Sequence, residues 1–337
     1  MAKLNMKDIA KLAGVSMATV SRTIQTPQKV RLKTRARVLS VIEKHNYIYN
    51  ATAADLSRQK TKVIGLLIPT TSSPVFASSI LAIQEECQNN GYSVILGNTQ
   101  YNAQIEERII MQFQERRVAG VILTGFTFGS EKAVISLNEV RVPTVVIWEK
   151  LEDSKINYVG FDNYQTAYSM TEYLIKLGHQ RIGLIIGPYN KVGRVRKRLA
   201  GYKSAMEKSG LDIDPALIIE TEPTLKNGYT SMSRLLQLSQ QPTAVFAASD
   251  VLAIGALKAV KDKGLSVPQD ISLVGHDDID FAAYTDPPLT TVRVESYIIG
   301  RLAVEVLLEA IEKGNEDVKQ YCLDTDLIIR ESCTELK

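Results

Sequence analysis

The amino-terminal part of the chain carries apolar positions with the period of an α-helix. One apolar set recurs from Met6 to Ala13 and a second from Ala18 to Ile24, and Gly14 separates them where a tight turn is needed. Ser16 precedes the second set, where its side-chain oxygen can cap free backbone N–H groups. A third periodic segment, from about Lys33 to His45, can close a small core over the other two. The pattern predicts an all-α helix-turn-helix head.

A different pattern begins after Lys62, where short apolar runs alternate with segments of helical length. This alternation is typical of parallel strands covered by helices on both faces, a doubly wound α/β fold. Ligands of such folds bind outside the carboxyl ends of the strands, so we expect the binding loops after each run. The runs are VIGLLIP from residue 63, YSVILGN from 92, AGVILTG from 119, PTVVIW from 143, RIGLIIG from 181, TAVFAAS from 243 and DISLVGH from 270.

Length and composition limit the class of protein. The 337 residues exceed the size of a single hydrophobic core, roughly 250 to 300 residues, so we expect more than one domain. No apolar run approaches the ~18 residues of a membrane span, and the charged first turns do not resemble a signal peptide. The three cysteines, Cys87, Cys322 and Cys333, are odd in number and widely spaced. We therefore expect a cytoplasmic protein with no membrane partner, disulfide framework, metal site or cofactor.

Charge is distributed unevenly along the chain. Residues 1–60 contain twelve Lys or Arg and three acidic residues, a net charge of +9, and the remaining residues carry −6. A small basic head on a mildly acidic body is the electrostatic pattern of a protein that binds a phosphate backbone. The alternative is a well-solvated surface without a nucleic-acid partner.

The second predicted helix carries the candidate base contacts. Arg22 can form two hydrogen bonds to guanine in the major groove of double-stranded DNA, whereas Met17 and Ala18 offer apolar contact to a thymine methyl group. Alternatively, Arg22 contacts a phosphate. The remaining candidates for DNA contact are Thr19 and Ser21 on the same helix and, at the phosphates, Lys3, Lys7, Lys29, Arg31, Lys33 and Arg35.

The loops after the strands of the body are rich in hydroxyl, acidic, amide and arginine side chains, with aromatic side chains at Phe76 and Trp148. Such a set suits a polyol, because polar groups pair with its hydroxyls and aromatic rings stack on its C–H faces. Asp162 and Asp250 each precede a predicted helix and can instead be N-caps.

Residues 7–24, KDIAKLAGVSMATVSRTI, together with VRLKTRARVLSVIEKHNYIYNATAADLSR from residue 30, resemble the head of the LacI/GalR family of bacterial regulators. The resemblance implies a hinge helix over residues 50–58 that orders on DNA and inserts Leu56 into the minor groove at the operator centre. Many members have a proline in the Tyr-x-Pro-Asn motif before this helix. This chain has Tyr47, Ile48, Tyr49 and Asn50, so the hinge geometry departs from the family pattern.

The body resembles the effector domain of the same family, which is similar to periplasmic sugar-binding proteins, through VGFDN, RLAGYKSAM, PTAVFAASDVLAIGALKA and VPQDISLVGHDD. The resemblance implies two doubly wound lobes with the effector between them, contacted by Phe76, Asp162, Arg198, Asp250 and Asp277. The implied domains are a DNA-binding domain over residues 1–49, a hinge over 50–61, and an effector and dimerisation domain over 62–337. The first lobe covers about 62–161 and 293–322, and the second about 162–292 and 323–337.

The segment GRVRKRLAGY contains four cationic residues between Arg194 and Arg198, more than a neutral sugar requires. With PTVVIWEK and INYVGFDN, this segment resembles the gluconate-repressor branch of the family. We therefore expect a sugar acid or sugar phosphate, held by Arg194 and Arg198 with Trp148 and Glu149 nearby. Arg196 and Lys197 are expected on the solvent face of their helix.

The sequence leaves other functions open. An enzyme is disfavoured because the chain has three histidines and no recognisable nucleophile motif or phosphate-binding glycine loop. A sugar-binding protein without a DNA role is disfavoured by the basic head. A regulator that responds to a neutral sugar or to a co-repressor protein is a further alternative. The leading hypothesis is a homodimeric repressor of carbohydrate-utilisation genes that binds a pseudo-palindromic operator under control of a small effector.

Overall fold

The computed structural model describes residues 4–48, 61–127, 137, 142–152, 155–314 and 317–336. The chain divides into two compact units, Met1–Thr61 and Lys62–Lys337. The predicted hinge segment, residues 50–58, lies outside the described residues. Among those residues, every helix is too short or too polar to cross a bilayer.

The helices of the described residues are α1 (Met6–Ala13), α2 (Met17–Gln25), α3 (Leu32–Lys44), α4 (Ala77–Asn89), α5 (Ala103–Glu115), α6 (Asn163–Lys176), α7 (Gly193–Lys208), α8 (Leu225–Leu235), α9 (Asp250–Asp262) and α10 (Ser296–Lys313). The strands are β1 (Val63–Ile68), β2 (Ser93–Asn98), β3 (Gly120–Thr124), β4 (Thr144–Ile147), β5 (Asn157–Gly160), β6 (Ile182–Ile186), β7 (Ile218–Glu220), β8 (Ala244–Ala247), β9 (Ser272–Val274), β10 (Thr291–Arg293), β11 (Gln320–Cys322) and β12 (Asp326–Ile328). Short 3-10 helices cover Pro27–Lys29, Pro74–Phe76, Pro215–Leu217 and Asp280–Tyr284.

The first unit is the helix-turn-helix head that the pattern predicts. A capping box between Asn5 and Asp8 begins α1, and Gly14 ends it in the left-handed conformation at φ 61°, with its N–H bonded to carbonyl groups of the last turn. The Ser16 hydroxyl caps α2 by accepting a hydrogen bond from the N–H of Thr19 at 3.1 Å. The three helices pack around a small apolar core formed by Ile9, Ala10, Ala13, Val20 and Val38.

The first lobe of the second unit is a parallel sheet in the order β11-β5-β4-β3-β1-β2. Its alternate residues enter two cores, as expected for a sheet covered on both faces. Leu66 packs on the side of α4 and α10, and Leu67 packs on the side of α5. Gly65 permits a close approach of α5, because a Cβ atom there would lie 2.4 Å from the ring of Phe113.

The second lobe is a parallel sheet in the order β7-β6-β8-β9. Ile185 and Val245 face the core under α8 and α9, while Leu184 and Phe246 face the core under α6 and α7. The chain then returns to the first lobe, where α10 joins the core through Ile299, Val304 and Leu307. Strands β10 and β12 form a separate antiparallel pair.

The predicted fold class is confirmed, and each of the seven apolar runs contains a strand. The sequence pattern missed β5, β7, β10, β11 and β12. These strands have only three or four residues each. Such short segments are hard to distinguish from loops by apolar pattern alone.

Candidate DNA-binding surface and effector cleft

Helix α2 has two chemically different faces. Val20 and Thr23 are buried against the other helices, and the Thr23 hydroxyl donates to the carbonyl oxygen of Thr19. On the other face, Met17 is 52% exposed, and Ala18 and Arg22 are exposed as well. Because a helix fits the major groove of B-DNA, this face can bring these three side chains to base edges.

The remaining candidates in the first unit occupy different environments. Thr19 and Ser21 are partly buried, and the Thr19 hydroxyl lies 2.9 Å from that of Ser16 at the start of α2. Lys7, Lys29 and Arg31 are exposed, as phosphate contact requires. Lys33 is exposed and Arg35 is partly buried. The predicted contacts Lys3 and Leu56 lie outside the described residues.

In the second unit, the carboxyl ends of the strands of both lobes face a shared cleft. Phe76 and Trp148 enter it from the first lobe, and Arg194, Arg198 and Asp277 enter it from the second. The structure thus brings together five of the eight predicted effector residues. The other lining residues are Ser73, Val75, Tyr101, Gly187, Pro188, Val195, Pro223, Ala248, Ser249 and Leu252.

The guanidinium group of Arg198 is buried and bonded within the second lobe. Its Nε donates to the Asn163 side-chain oxygen at 2.9 Å, and one terminal nitrogen donates to the Ala248 carbonyl oxygen at 2.8 Å. The other terminal nitrogen lies 3.7 Å from Asp277 Oδ1. Burial lowers the pKa of Arg198 from its usual value, and the Asp277 carboxylate acts in the opposite direction. Arg198 is therefore fixed in position before any ligand enters.

His276 supports Asp277 from behind the cleft. Its Nδ1 lies 2.9 Å from Asp277 Oδ1, and its Nε2 lies 3.2 Å from the Thr166 hydroxyl. Burial lowers the pKa of His276 to about 4, and the nearby Arg198 acts in the same direction. The imidazole is consequently neutral at pH 7 and can donate one hydrogen bond to the carboxylate.

Arg194 connects the two lobes. One terminal nitrogen donates to the carbonyl oxygen of Thr124, the last residue of β3, at 2.7 Å. The Tyr101 hydroxyl is also hydrogen-bonded to Arg194, and burial raises the pKa of Tyr101. The guanidinium carbon lies 5.9 Å from the centre of the Phe76 ring, within the range of a cation–π interaction. Arg194 therefore lies at the boundary of the lobes with its planar group against an aromatic face.

Aromatic rings form one wall of the cleft. Phe76 meets Trp148 edge to face at 5.1 Å between ring centres, and Trp148 meets Phe161 at 6.1 Å. Trp148 has a φ of 69°, an uncommon conformation for a bulky side chain and a mark of local strain. The indole N–H lies 3.4 Å from the Ser79 hydroxyl. The wall supplies the apolar surface on which a sugar ring can stack.

Two buried side-chain oxygens of the described residues have no hydrogen-bond partner: Glu149 Oε2 and Ser249 Oγ. Glu149 follows β4 of the first lobe, and Ser249 lies in the cleft on the second lobe. Buried polar groups are normally paired, so an unpaired one calls for an explanation. Ser249 lines the cleft, where a ligand hydroxyl can pair with it, whereas Glu149, a predicted effector residue, is not among the lining residues.

Two of the predicted effector residues have structural roles away from the cleft lining. Asp162 caps α6 by accepting from the N–H groups of Tyr164 and Gln165, and it forms an ion pair with Lys150 at 3.2 Å. Asp250 is fully buried, and burial raises its pKa well above the usual value. Its carboxylate accepts from Thr291 and from the N–H of Ile279. The N-cap alternative therefore holds for Asp162 and not for Asp250, which is the first residue of α9 after the N-cap Ser249.

The sequence did not predict the roles of several residues at the cleft and the lobe boundary. Asn163 follows a strand as expected for the binding loops, but its role in holding Arg198 was not predicted, and Tyr101 contacts Arg194 from a loop that no pattern distinguished. Lys197, expected on the solvent face, instead donates to the carbonyl oxygen of Lys150 and lies 3.4 Å from Glu149 Oε1. Lys197 lies three residues after Arg194, and residues at this spacing share one side of a helix. This spacing could have predicted that Lys197 faces the first lobe together with Arg194.

Comparisons with known proteins agree with this architecture. Residues 5–50 match the family described as bacterial regulatory proteins, lacI family, and residues 171–333 match the periplasmic binding protein-like domain. The chain is 36% identical over 331 residues to the HTH-type transcriptional repressor PurR of Haemophilus influenzae strain PittEE. The aligned region covers 97% of this chain and 98% of that protein.

A second relative, the ribose operon repressor of Haemophilus influenzae strain ATCC 51907, is 34% identical and covers 98% of this chain and 99% of its own length. The solved structure of the lac repressor dimer bound to operator and the anti-inducer ONPF superimposes with a TM-score of 0.85 at 27% identity. That match covers 98% of this chain and 99% of the solved chain.

Proposed function

The chain belongs to the lacI family of bacterial regulatory proteins and is a DNA-binding transcriptional repressor, and from this premise we propose that a small carbohydrate bound in the cleft controls its binding to DNA. The genes under control are those of carbohydrate utilisation, and the protein acts in the bacterial cytoplasm, where its operator DNA lies. The cleft binds its effector without converting it.

The DNA-binding mode is that of a homodimer on a pseudo-palindromic operator. The outer face of α2 contacts base edges through Arg22, Met17 and Ala18, while the exposed Lys7, Lys29 and Arg31 contact phosphates. A twofold dimer presents two such faces to two half-sites of an inverted repeat. Sedimentation equilibrium of the full chain should give a dimer mass, and a monomer that binds one half-site alone would contradict the proposal.

The lining of the cleft carries the effector proposal. An aromatic wall at Phe76 and Trp148 faces polar groups fixed at Arg198 and Asp277, and a buried oxygen of Ser249 lacks a partner. This combination of a stacking surface with fixed donors and acceptors is the chemistry that recognises a polyhydroxylated ring.

A narrower proposal is that the effector carries an acidic group, as in a sugar acid such as gluconate or a phosphorylated sugar. Two guanidinium groups, those of Arg194 and Arg198, lie in the cleft within the low-dielectric interior. A carboxylate or phosphate accepting from them would gain charge-assisted hydrogen bonds of about 1.5 to 3 kcal/mol each.

A neutral sugar is the second candidate. Asp277 already neutralises Arg198, and Arg194 already donates to Thr124 and contacts Tyr101. A ligand hydroxyl group can pair with the unpartnered Ser249 hydroxyl without any charge on the ligand.

A thermal-shift panel of matched sugars separates these candidates. Glucose, glucuronate and glucose 6-phosphate share a pyranose ring and differ in the acidic group, gluconate supplies an open-chain sugar acid, and ribose supplies a smaller neutral ring. A ligand present at 100 times its Kd stabilises the folded state by about 2.7 kcal/mol. Stabilisation by anions alone supports the narrower proposal, stabilisation by the neutral sugars alone supports the second candidate, and no stabilisation would contradict a carbohydrate effector.

Two further measurements test the regulatory role. Any stabilising sugar should change operator affinity, by five- to 150-fold for a coupling of about 1 to 3 kcal/mol, and should remain unconverted after incubation with the protein. Deleting residues 1–60 should abolish operator binding and leave the sugar-induced stabilisation intact. Operator binding that survives the deletion would place DNA recognition elsewhere.

A further inference from the structure

The first two turns of α7 extend from the second lobe to the first. Arg194 donates to the carbonyl oxygen of Thr124 at the end of β3, and Lys197 donates to the carbonyl oxygen of Lys150 just after β4. Immediately before the helix, Val192 forms an isolated backbone bridge with Thr127. One short segment of the second lobe therefore holds the ends of two neighbouring strands of the first lobe.

An ion pair crosses the same boundary. Lys197 Nζ lies 3.4 Å from Glu149 Oε1, and the carboxylate of Glu149 is buried. The carboxylate also lies at the amino-terminal end of α7, where Oε1 would be 2.9 Å from a Cβ atom on Gly193. No side chain caps α7, because its N-cap residue is Val192. A carboxylate at an uncapped helix start is favoured by the helix dipole, so Glu149 is attracted by both the lysine and the helix.

These contacts belong to the boundary between the lobes and not to the packing of α7 in its own lobe. Helix α7 packs closely against α6, because a Cβ atom on Gly201 would lie only 2.2 Å from the carbonyl oxygen of Tyr164. Arg198, on the next position after Lys197, forms its hydrogen bonds within the second lobe only, with Asn163 and Ala248. Helix α7 consequently moves with the second lobe, and separation of the lobes must break the contacts of Arg194 and Lys197.

We infer that Arg194 and Lys197 form a cross-lobe latch that holds the cleft closed before an effector binds. The role of the latch in regulation rests on the proposed function. If the cleft binds an effector in its closed form, the latch sets the fraction of molecules that are ready to bind it. Apparent affinity falls in proportion to that fraction, so loss of the Lys197 contacts weakens effector binding without removing any proposed effector contact. In this role Lys197 is a positioning residue, acting through Glu149 and the backbone of the first lobe.

The single tryptophan of the chain reports on the latch directly. Trp148 is buried in the cleft wall, so its fluorescence should be poorly quenched by acrylamide in the closed state. In the full-length, effector-free protein, Lys197→Met should raise the quenching constant of Trp148 at least twofold. Lys197→Arg keeps a cation with several donors and should restore the wild-type value.

Lys203→Met is the matched control, because Lys203 is an exposed cation on the same helix and its removal changes the net charge equally. Thermal unfolding of each variant verifies that it is folded. A quenching constant for Lys197→Met equal to that of Lys203→Met and of the wild type would overturn the latch.

The effector arm of the experiment uses glucose and glucuronate. If either sugar stabilises the wild type, Lys197→Met should weaken its apparent affinity by three- to tenfold, with Lys203→Met unchanged. If neither sugar nor any other member of the panel binds, the proposed function fails, while the quenching comparison still decides whether the latch exists.

Discussion

The two units of this repressor present their functional side chains in opposite ways. In the first unit the candidate base and phosphate contacts, such as Arg22 and Lys29, stand exposed on helices whose stability comes from other residues. In the second unit Arg198 and Asp277 are buried and already bonded to the protein. The difference follows from the partners. A DNA duplex is too large to enclose and must be met by projecting cations, whereas a small molecule is recognised by enclosed groups held in place beforehand.

This contrast predicts how mutations act. A change to an exposed recognition side chain should affect binding and leave folding intact, while a change in the cleft should affect both. Four experiments test the contrast, in order of decreasing effect.

The largest effect is expected for Arg198→Met. Removing the guanidinium leaves the buried Asp277 carboxylate without its neutralising cation and the Ala248 carbonyl oxygen without its donor, which should destabilise the second unit by about 3 to 5 kcal/mol. Urea unfolding of the full chain measures the loss. Lys203→Met should be nearly neutral, and adding Asp277→Asn to Arg198→Met should recover part of the loss. Equal free energies of unfolding for Arg198→Met and Lys203→Met would contradict the claim that the buried cleft residues also stabilise the fold.

The pH dependence of stability should show the burial of His276. Its pKa is lowered to about 4 in the folded state and returns to about 6.5 on unfolding, so the unfolded chain binds the proton first as pH falls. The contribution of His276 to stability should therefore be fully present above pH 6.5 and decrease by about 3 kcal/mol between pH 6.5 and 4. Burial also lowers the pKa of His179, which acts in the same direction as His276, whereas the raised pKa of the buried Asp250 acts in the opposite direction.

His276→Gln isolates the contribution of this one imidazole. The variant should lose the His276 part of the dependence of unfolding free energy on pH between 6.5 and 4, whatever its stability at pH 7. An unchanged slope would show that the imidazole is not held neutral by the fold.

Arg22→Met tests the opposite side of the contrast. The free energy of unfolding should change by less than about 0.5 kcal/mol, because the side chain is exposed. The free energy of binding to an operator selected in vitro should become less favourable by about 1 to 3 kcal/mol per half-site. The free energy of binding to an unrelated duplex should change much less. Lys29→Met serves for comparison, since loss of a phosphate contact should weaken both duplexes alike. Fluorescence anisotropy at two salt concentrations distinguishes these outcomes.

The smallest effect is expected for Ser16→Ala. The variant loses the hydrogen bond that caps α2, which should lower the stability of the first unit by about 1 kcal/mol. Ser40→Ala on the exposed face of α3 removes a hydroxyl in mid-helix and should be neutral. Identical melting of the two variants, monitored by circular dichroism, would show that the cap does not contribute to the helix.

Local pattern was sufficient where a structure depends on neighbouring residues. The helical period, Gly14 and Ser16 predicted the head, and seven apolar runs predicted the main strands of both sheets. The outer face of α2 was also predicted, because Met17, Ala18 and Arg22 are exposed on the side opposite the buried Val20. Hydrophobic period, turn conformation and capping all act over a few residues, so the sequence alone determines them.

Only the tertiary structure decided which polar side chains meet. Asp162, Asp250 and Asp277 stand after strands or before helices in similar ways, yet only Asp277 lines the cleft. Arg198 and Lys197 are adjacent in sequence, and one holds its own lobe while the other holds the opposite lobe. The physical reason is that such contacts join loops far apart in the chain, and their burial depends on how two lobes close over them.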